Sequence, residues 1–66
     1  MQLKVNGELR EVESSGNLLS LLETLKLINK PVAVEHNRVI ISPEEYAKTP
    51  LAPGDELEIV HFVGGG

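Results

Sequence analysis

A stripe of leucines in the first half of the chain limits its fold more than any other feature. Apolar residues recur there at intervals of three and four, which is the spacing of one helix face. They are Leu18, Leu21, Leu22, Leu25 and Ile28. The spacing predicts one amphipathic helix over about residues 17–28, capped by Asn17 or Ser15. Asn29 and Pro31 are expected to end it, and a helix this short is stable only when it packs on a sheet.

Strand patterns precede the predicted helix. Apolar and polar residues alternate over residues 1–5, and Asn6-Gly7 follows, a dipeptide typical of the two-residue turn in a β-hairpin. In the second arm, residues 8–13, Leu9 and Val12 lie three positions apart rather than two. We therefore expect a hairpin whose second strand has a bulge or forms a twisted edge.

Further strands and a short helical turn follow the predicted helix. Residues 32–35 and 39–41 are rich in valine and isoleucine and predict two strands joined by a turn. In Ser42-Pro43, a capping residue is followed by the proline that suits a first helical position. We expect one helical turn there, with Tyr46 and Ala47 facing inward.

The last predicted strand has apolar residues on both faces. It follows Pro53-Gly54, the residues of a type II turn. Leu57 and Ile59 alternate with glutamates, so we expect the odd positions to face the core and the glutamates to face solvent. Val60 and Phe62 then share the face of the glutamates, which leaves two apolar side chains exposed.

The order of these elements predicts an α+β fold. A hairpin, a helix that crosses over to the next strand and a last strand that is apolar on both faces fit a ubiquitin-like β-grasp, a mixed sheet crossed by one helix. We expect the first and last strands to lie parallel at its centre. The predicted β-grasp domain covers residues 1–63, and residues 64–66 are expected to form a flexible C-terminal glycine tail.

Composition and charge exclude several classes of function. Ten acidic and six basic residues give a net charge of −4, which disfavours nucleic acid and membrane surfaces as partners. The chain has no cysteine, and His36, expected in a surface turn, and His61, expected to be half-buried, have no third ligand at a recognisable spacing. We expect no metal site, no bound cofactor and no catalytic group. The N-terminus has neither a signal-peptide nor a membrane-spanning pattern, so we expect a cytoplasmic protein. We also expect the protein to be monomeric when free.

Three glycines at the end of the sequence are its most informative motif. Gly64, Gly65 and Gly66 closely follow the last predicted strand, and chance gives such a triplet in about three chains per ten thousand. The functional group of such a tail is the Gly66 α-carboxylate, which is a poor electrophile until an enzyme activates it, for example as an acyl-adenylate. Glycine suits this role because it presents an unhindered carbonyl.

Residues just before the glycines form a candidate docking surface. Val60, Phe62 and Val63 are apolar, and Glu58 shares the face of the first two. An exposed apolar patch next to a reactive tail favours contact with an activating enzyme. We expect Asp55 and the glutamates of the last strand to rim this patch and to meet basic side chains.

Four segments of the chain match a known pattern. They are Val32-Ala33-Val34-Glu35-His36-Asn37, Ile40-Ile41, Leu51-Ala52-Pro53-Gly54-Asp55 and Glu58-Ile59-Val60-His61-Phe62-Val63-Gly64-Gly65-Gly66. Together they resemble the ThiS family, the sulfur carriers of thiamine biosynthesis, over the whole chain. The last segment is the most specific, although a diglycine end also fits ubiquitin and the small subunit of molybdopterin synthase. The family commonly ends in two glycines, which match Gly65 and Gly66.

The resemblance implies a carrier rather than an enzyme. It implies that a ThiF-like enzyme uses ATP to adenylate Gly66, and that sulfur from a cysteine desulfurase converts this terminus to a thiocarboxylate. Thiazole synthase, a ThiG-like enzyme, then takes the sulfur. A carrier of the molybdopterin-synthase type, a ubiquitin-like protein modifier and an inert β-grasp interaction module are the alternatives.

Overall fold

A mixed sheet and one α-helix form the framework of the computed structural model, which describes residues 1–13 and 16–62. The elements are β1 (Gln2–Val5), β2 (Glu8–Glu11), α1 (Leu18–Thr24), β3 (Val32–His36), β4 (Val39–Ile41), a 3-10 helix (Pro43–Lys48) and β5 (Glu56–His61). The sheet has five strands in the order β2-β1-β5-β3-β4, with β5 parallel to β1 and antiparallel to β3. This order confirms the predicted mixed sheet, with the first and last strands parallel and adjacent.

The first hairpin has the predicted turn and a regular second strand. Asn6 and Gly7 adopt positive φ angles of 50° and 83°, as a two-residue hairpin turn requires. β1 and β2 pair without interruption, so the expected bulge is absent, because the turn fixes a register in which Val12 falls beyond the strand. β2 lies at the edge of the sheet, and Leu9 on it is exposed.

Helix α1 starts where the leucine stripe predicts. Asn17 is its N-cap, and its Oδ1 accepts a hydrogen bond from the Ser20 N–H at 2.8 Å. The alternative cap, Ser15, lies outside the described residues. All three buried residues of α1 are leucines of the stripe, which is therefore the face that packs on the sheet.

The helix ends at Thr24, well before the predicted end at about residue 28. Lys26 adopts a left-handed conformation with a φ of 61°. The N–H groups of Lys26 and Leu27 donate to carbonyls of the last helical turn at 3.0 and 2.8 Å. These two bonds form a Schellman motif, which ends the helix, so the end predicted at Asn29 and Pro31 is wrong.

The core is aliphatic apart from one tyrosine. Its buried members are Leu3, Val5, Leu18, Leu21, Leu22, Val34, Tyr46, Leu51, Leu57 and Ile59. In the 3-10 helix Tyr46 faces inward as predicted, but Ala47 is exposed. A 3-10 helix has three residues per turn, so adjacent residues cannot share its inward face. Neither helix in the described ranges has the length and apolar character needed to cross a membrane.

Candidate partner-docking face and tail root

β5 lies at the centre of the sheet and presents the predicted alternation of side chains. Leu57 and Ile59 are buried against the core. Glu58 and Val60 point to the opposite face and are exposed. Phe62 follows the strand, and its N–H donates at 2.8 Å to the backbone carbonyl just before β3, so the pairing of β5 continues to this residue.

The face of the sheet that α1 leaves uncovered contains the predicted docking residues. We call the part of this face on β3, β4 and β5 the open face and define it by Ala33, Glu35, Ile40, Glu56, Glu58, Val60 and Phe62. Val60 and Phe62 form its apolar end and are 56 % and 57 % exposed. The structure thus brings Glu58, Val60 and Phe62 together. Val63 and the tail residues Gly64, Gly65 and Gly66 lie outside the described residues.

Three open-face residues were not predicted because they come from neighbouring strands. Ala33 pairs with Val60, and Glu35 pairs with both Glu58 and Ile40. Ile40 is 75 % exposed, which enlarges the apolar surface available to a partner. The alternation of side chains within β4 could have placed Ile40 on the face opposite to Val39 and Ile41. Only the strand order shows that Ile40 shares a face with Glu58 and Val60 of β5.

Asp55, predicted to rim the docking surface, lies instead in a hydrogen-bond network. Its carboxylate accepts from His36 Nε2 at 2.7 Å, from the Ala52 N–H at 2.9 Å and from Asn37 Nδ2 at 3.2 Å. Burial raises the pKa of Asp55, but these hydrogen bonds outweigh it and leave the pKa below its ordinary value of 3.8. The network joins the β3–β4 turn to the loop before β5, so Asp55 has a structural role and is not available to the rim.

The two histidines have the reverse of the environments that the sequence predicts. His36 ends β3 and is partly buried beside Asp55, whereas His61 ends β5 and is exposed. β1 ends at Val5 and does not extend beside His61, which leaves that side chain uncovered. Across residues 1–13 and 16–62, no group of three or more histidine and acidic side chains is placed to hold a metal ion.

Asn6 contacts the last strand as well as forming the first turn. Its Oδ1 accepts from the Ile59 N–H at 2.7 Å, and its Nδ2 donates to the Ile59 carbonyl oxygen at 3.2 Å. The side chain thus bonds to β5 beyond its pairing with β1, at the segment that leads to the glycines. We call this segment, residues 59–62, the tail root. Sequence reasoning identified Asn6 only as a turn residue, because the two partners lie 53 positions apart.

The fold and the site define a class of protein. One helix crosses a mixed five-stranded sheet in which β1 and β5 are parallel neighbours, and the open face leads to the tail root. This is a ubiquitin-like β-grasp domain with an exposed, partly apolar face at the end of its central strand.

Comparison with known proteins identifies the family. A model of the ThiS family matches residues 3–66, and the chain belongs to this family. It is 43 % identical over 65 residues to the sulfur carrier protein ThiS of Bacillus subtilis, a match that covers 97 % of this chain and 98 % of the relative. It is 42 % identical over 66 residues to the thiazole synthase of Paramagnetospirillum magneticum, and it spans 20 % of that protein's length.

A solved structure shows the same fold. The crystal structure of the thiamine biosynthesis protein ThiS from Geobacter metallireducens matches with a TM-score of 0.83 and 36 % identity, and the match covers 100 % of both chains. The fold class and the family predicted from the sequence are therefore confirmed.

Proposed function

We propose that this chain is a sulfur carrier of thiamine biosynthesis that supplies thiazole synthase. The observation that carries the proposal is the similarity to the Bacillus subtilis sulfur carrier over 97 % of this chain and 98 % of the relative. The family match extends to Gly66, so it includes the proposed site of modification. The chain is also similar to two thiazole synthases and spans 20 % of the length of each. This similarity supports a partnership with that enzyme.

Gly66 is the proposed site of modification, and the chain is a co-substrate of enzymes that perform the catalysis. A ThiF-like enzyme transfers AMP from ATP to the Gly66 carboxylate and releases pyrophosphate. A sulfur nucleophile then attacks the acyl carbon and displaces AMP, which leaves a thiocarboxylate. When the donor is the persulfide of a cysteine desulfurase, a thiol reductant supplies the electron pair that cleaves the sulfur–sulfur bond. Thiazole synthase accepts the sulfur, and the carrier itself needs no bound cofactor.

The open face is the proposed contact with the activating enzyme. Val60 and Phe62, both within the tail root, expose apolar surface, and burial of such a patch favours association. Glu35 and Glu58 lie opposite each other on β3 and β5, an unfavourable pair of like charges that basic side chains of a partner would neutralise. The proposal places the carrier in the cytoplasm with these enzymes.

Intact-mass spectrometry tests the proposed modification. The purified chain is incubated with a ThiF-like enzyme, ATP, a cysteine desulfurase, cysteine and a thiol reductant. We expect the mass gain of one oxygen replaced by sulfur, and no gain in a variant that lacks Gly66. An unchanged mass in the full chain, or an isopeptide-linked product instead of the thiocarboxylate, contradicts the proposal.

The acceptor is tested separately with the thiocarboxylate form of the chain. We expect its sulfur to pass to thiazole synthase and not to the large subunit of molybdopterin synthase. Transfer to the second enzyme alone would favour the molybdopterin branch.

A further inference from the structure

Two asparagines bind β5 at different points, Asn37 at its first residue and Asn6 at its fourth, where the tail root begins. Asn6 and Asn37 each open a two-residue turn, and both adopt a φ of 50°. Oδ1 of Asn37 accepts the Glu56 N–H at 2.9 Å, where β5 begins, and Oδ1 of Asn6 accepts the Ile59 N–H at 2.7 Å, at the tail root. An asparagine with the same φ and the same acceptor bond to β5 therefore occurs once at the tail root and once three residues before it, at Glu56.

Asn6 continues the pairing of β5 beyond the last residue of β1. β1 pairs with β5 at two positions, the second of which is Val5↔Leu57. The Asn6 N–H donates to the Leu57 carbonyl oxygen at 2.8 Å, and its side-chain amide then supplies both an acceptor and a donor to Ile59. Within the described ranges, no hydrogen bond from β1 or its turn reaches β5 beyond Ile59. The Asn6 side chain is therefore the last restraint on this side of the tail root.

We propose that Asn6 is a positioning residue for the reaction at Gly66, an inference that rests on the proposed function. Within the described residues, the tail root beyond Ile59 pairs only with β3, so the Asn6 amide braces its other side and helps to fix the point from which the tail starts when the open face is docked. A chain from Phe62 to Gly66 reaches at most about 14 Å, so a tail root that is held less firmly brings the carboxylate into the reacting position less often. Misplacement of a reacting group by about 1 Å lowers a rate by up to about 100-fold.

Glycine substitution at each asparagine separates positioning from stability. Glycine adopts positive φ readily, so Asn6→Gly keeps the turn and removes the amide from β5. Asn37→Gly removes the corresponding acceptor at the start of β5, together with one hydrogen bond to Asp55, and is the control. With a ThiF-like enzyme and ATP, we expect pyrophosphate release at saturating carrier to fall about 10- to 100-fold for Asn6→Gly, with the half-saturating concentration unchanged. For Asn37→Gly we expect the rate of the unchanged protein.

A further variant and a second measurement strengthen the test. Asn6→Asp keeps an acceptor for the Ile59 N–H, so we expect it to lose less rate than Asn6→Gly. Amide hydrogen exchange on the carrier alone reports the restraint directly. We expect faster exchange at residues 59–62 in Asn6→Gly, and faster exchange at the start of β5 in Asn37→Gly.

The outcomes distinguish this inference from the proposed function. Equal falls in rate for Asn6→Gly and Asn37→Gly would overturn positioning, because both changes would then act through stability. A higher half-saturating concentration with an unchanged saturated rate would also overturn it, since Asn6 would then act in docking. No pyrophosphate release from the unchanged protein would overturn the proposed function, whereas unaltered exchange at residues 59–62 in Asn6→Gly would overturn positioning on its own.

Discussion

Lys26 has a backbone conformation that suits glycine better than lysine. Its φ of 61° is part of the motif that ends α1, and a left-handed conformation costs a residue with a Cβ about 1–2 kcal/mol. The side chain is exposed, so burial does not offset this cost. The chain is therefore less stable at this position than its fold allows.

Lys26→Gly should raise the free energy of unfolding by about 0.5–1 kcal/mol, because the motif is kept and the strain is removed. Urea denaturation followed by circular dichroism measures the change. Asn29→Gly, at a φ of 66°, is the control, and we expect a smaller gain because asparagine tolerates this conformation better than lysine. Equal gains at the two positions would contradict this explanation.

Neutralising Asp55 should remove part of the acid sensitivity of the fold. Hydrogen bonds outweigh burial and hold the pKa of this carboxyl below 3.8 in the folded chain, so the folded state binds the proton less tightly than the unfolded state. The stability that results is complete above that value and is lost as the pH falls through the lowered pKa.

Urea denaturation from about pH 6 to about pH 2 tests the role of Asp55. We expect Asp55→Asn to be less stable than the unchanged protein at the upper limit and to lose less stability on acidification. Glu44→Gln, which neutralises an exposed carboxyl in the 3-10 helix, is the control and should keep the original slope. Parallel slopes for Asp55→Asn and the unchanged protein would show that the network does not respond to protonation of this carboxyl.

At the level of elements, α1 depends on the sheet for its stability. The helix has seven residues, too few to persist alone in water, and its buried leucines supply the packing that keeps it folded. We expect Leu22→Ala to lower the free energy of unfolding by about 2–5 kcal/mol, a large share of the about 3–10 kcal/mol typical of a chain this size. Leu19→Ala, at a partly buried position, should cost clearly less, and thermal unfolding of the two variants measures the difference. Equal losses would contradict the packing face described for α1.

Element starts were easier to predict than element ends, and the reason is physical. Asn17 caps α1 as predicted, because a cap needs only the first turn of its own helix. The end at Lys26 was not predictable in this way, since lysine has no preference for positive φ. Leu27, just beyond, packs against the core, and this contact between distant parts of the chain favours the early end.

For the whole molecule, the sequence predicted what β5 presents and that β1 lies beside it, but not which side chains of β3 and β4 share its exposed face. The alternation of buried and exposed positions along β5 was sufficient to predict that Glu58 and Val60 face away from the core. Ile40 lies on that face because β4 pairs with β3. Asp55 is not part of its rim because its carboxylate binds His36, 19 positions away in the sequence. Such contacts depend on register, which one sequence does not specify. The modification at Gly66 stays a prediction.

Val60→Asp should weaken binding to the ThiF-like enzyme by at least about tenfold, because docking would bury its charge in an apolar contact. Val39→Asp is a matched control, since Val39 is 59 % exposed but pairs with His36 and so lies on the other face of the sheet. Val60→Asp and Val39→Asp should unfold at similar temperatures. Phe62→Asp should weaken binding to the ThiF-like enzyme as Val60→Asp does. Isothermal titration calorimetry measures the affinities, and equal weakening by Val60→Asp and Val39→Asp would exclude the open face as the specific contact.

The central place of β5 makes completion of this sheet wait for its last strand in chain order. A ribosome releases β5 after every other strand of this sheet, yet β5 joins the β1–β2 hairpin to the β3–β4 hairpin. Before it emerges, neither hairpin has a neighbour across the gap, and two-stranded hairpins are marginally stable in water. A chain interrupted within β5 therefore lacks both the glycines and a stable fold, and cellular proteases remove such chains. The fold thus links survival of the chain in the cell to synthesis of the strand that precedes the glycines.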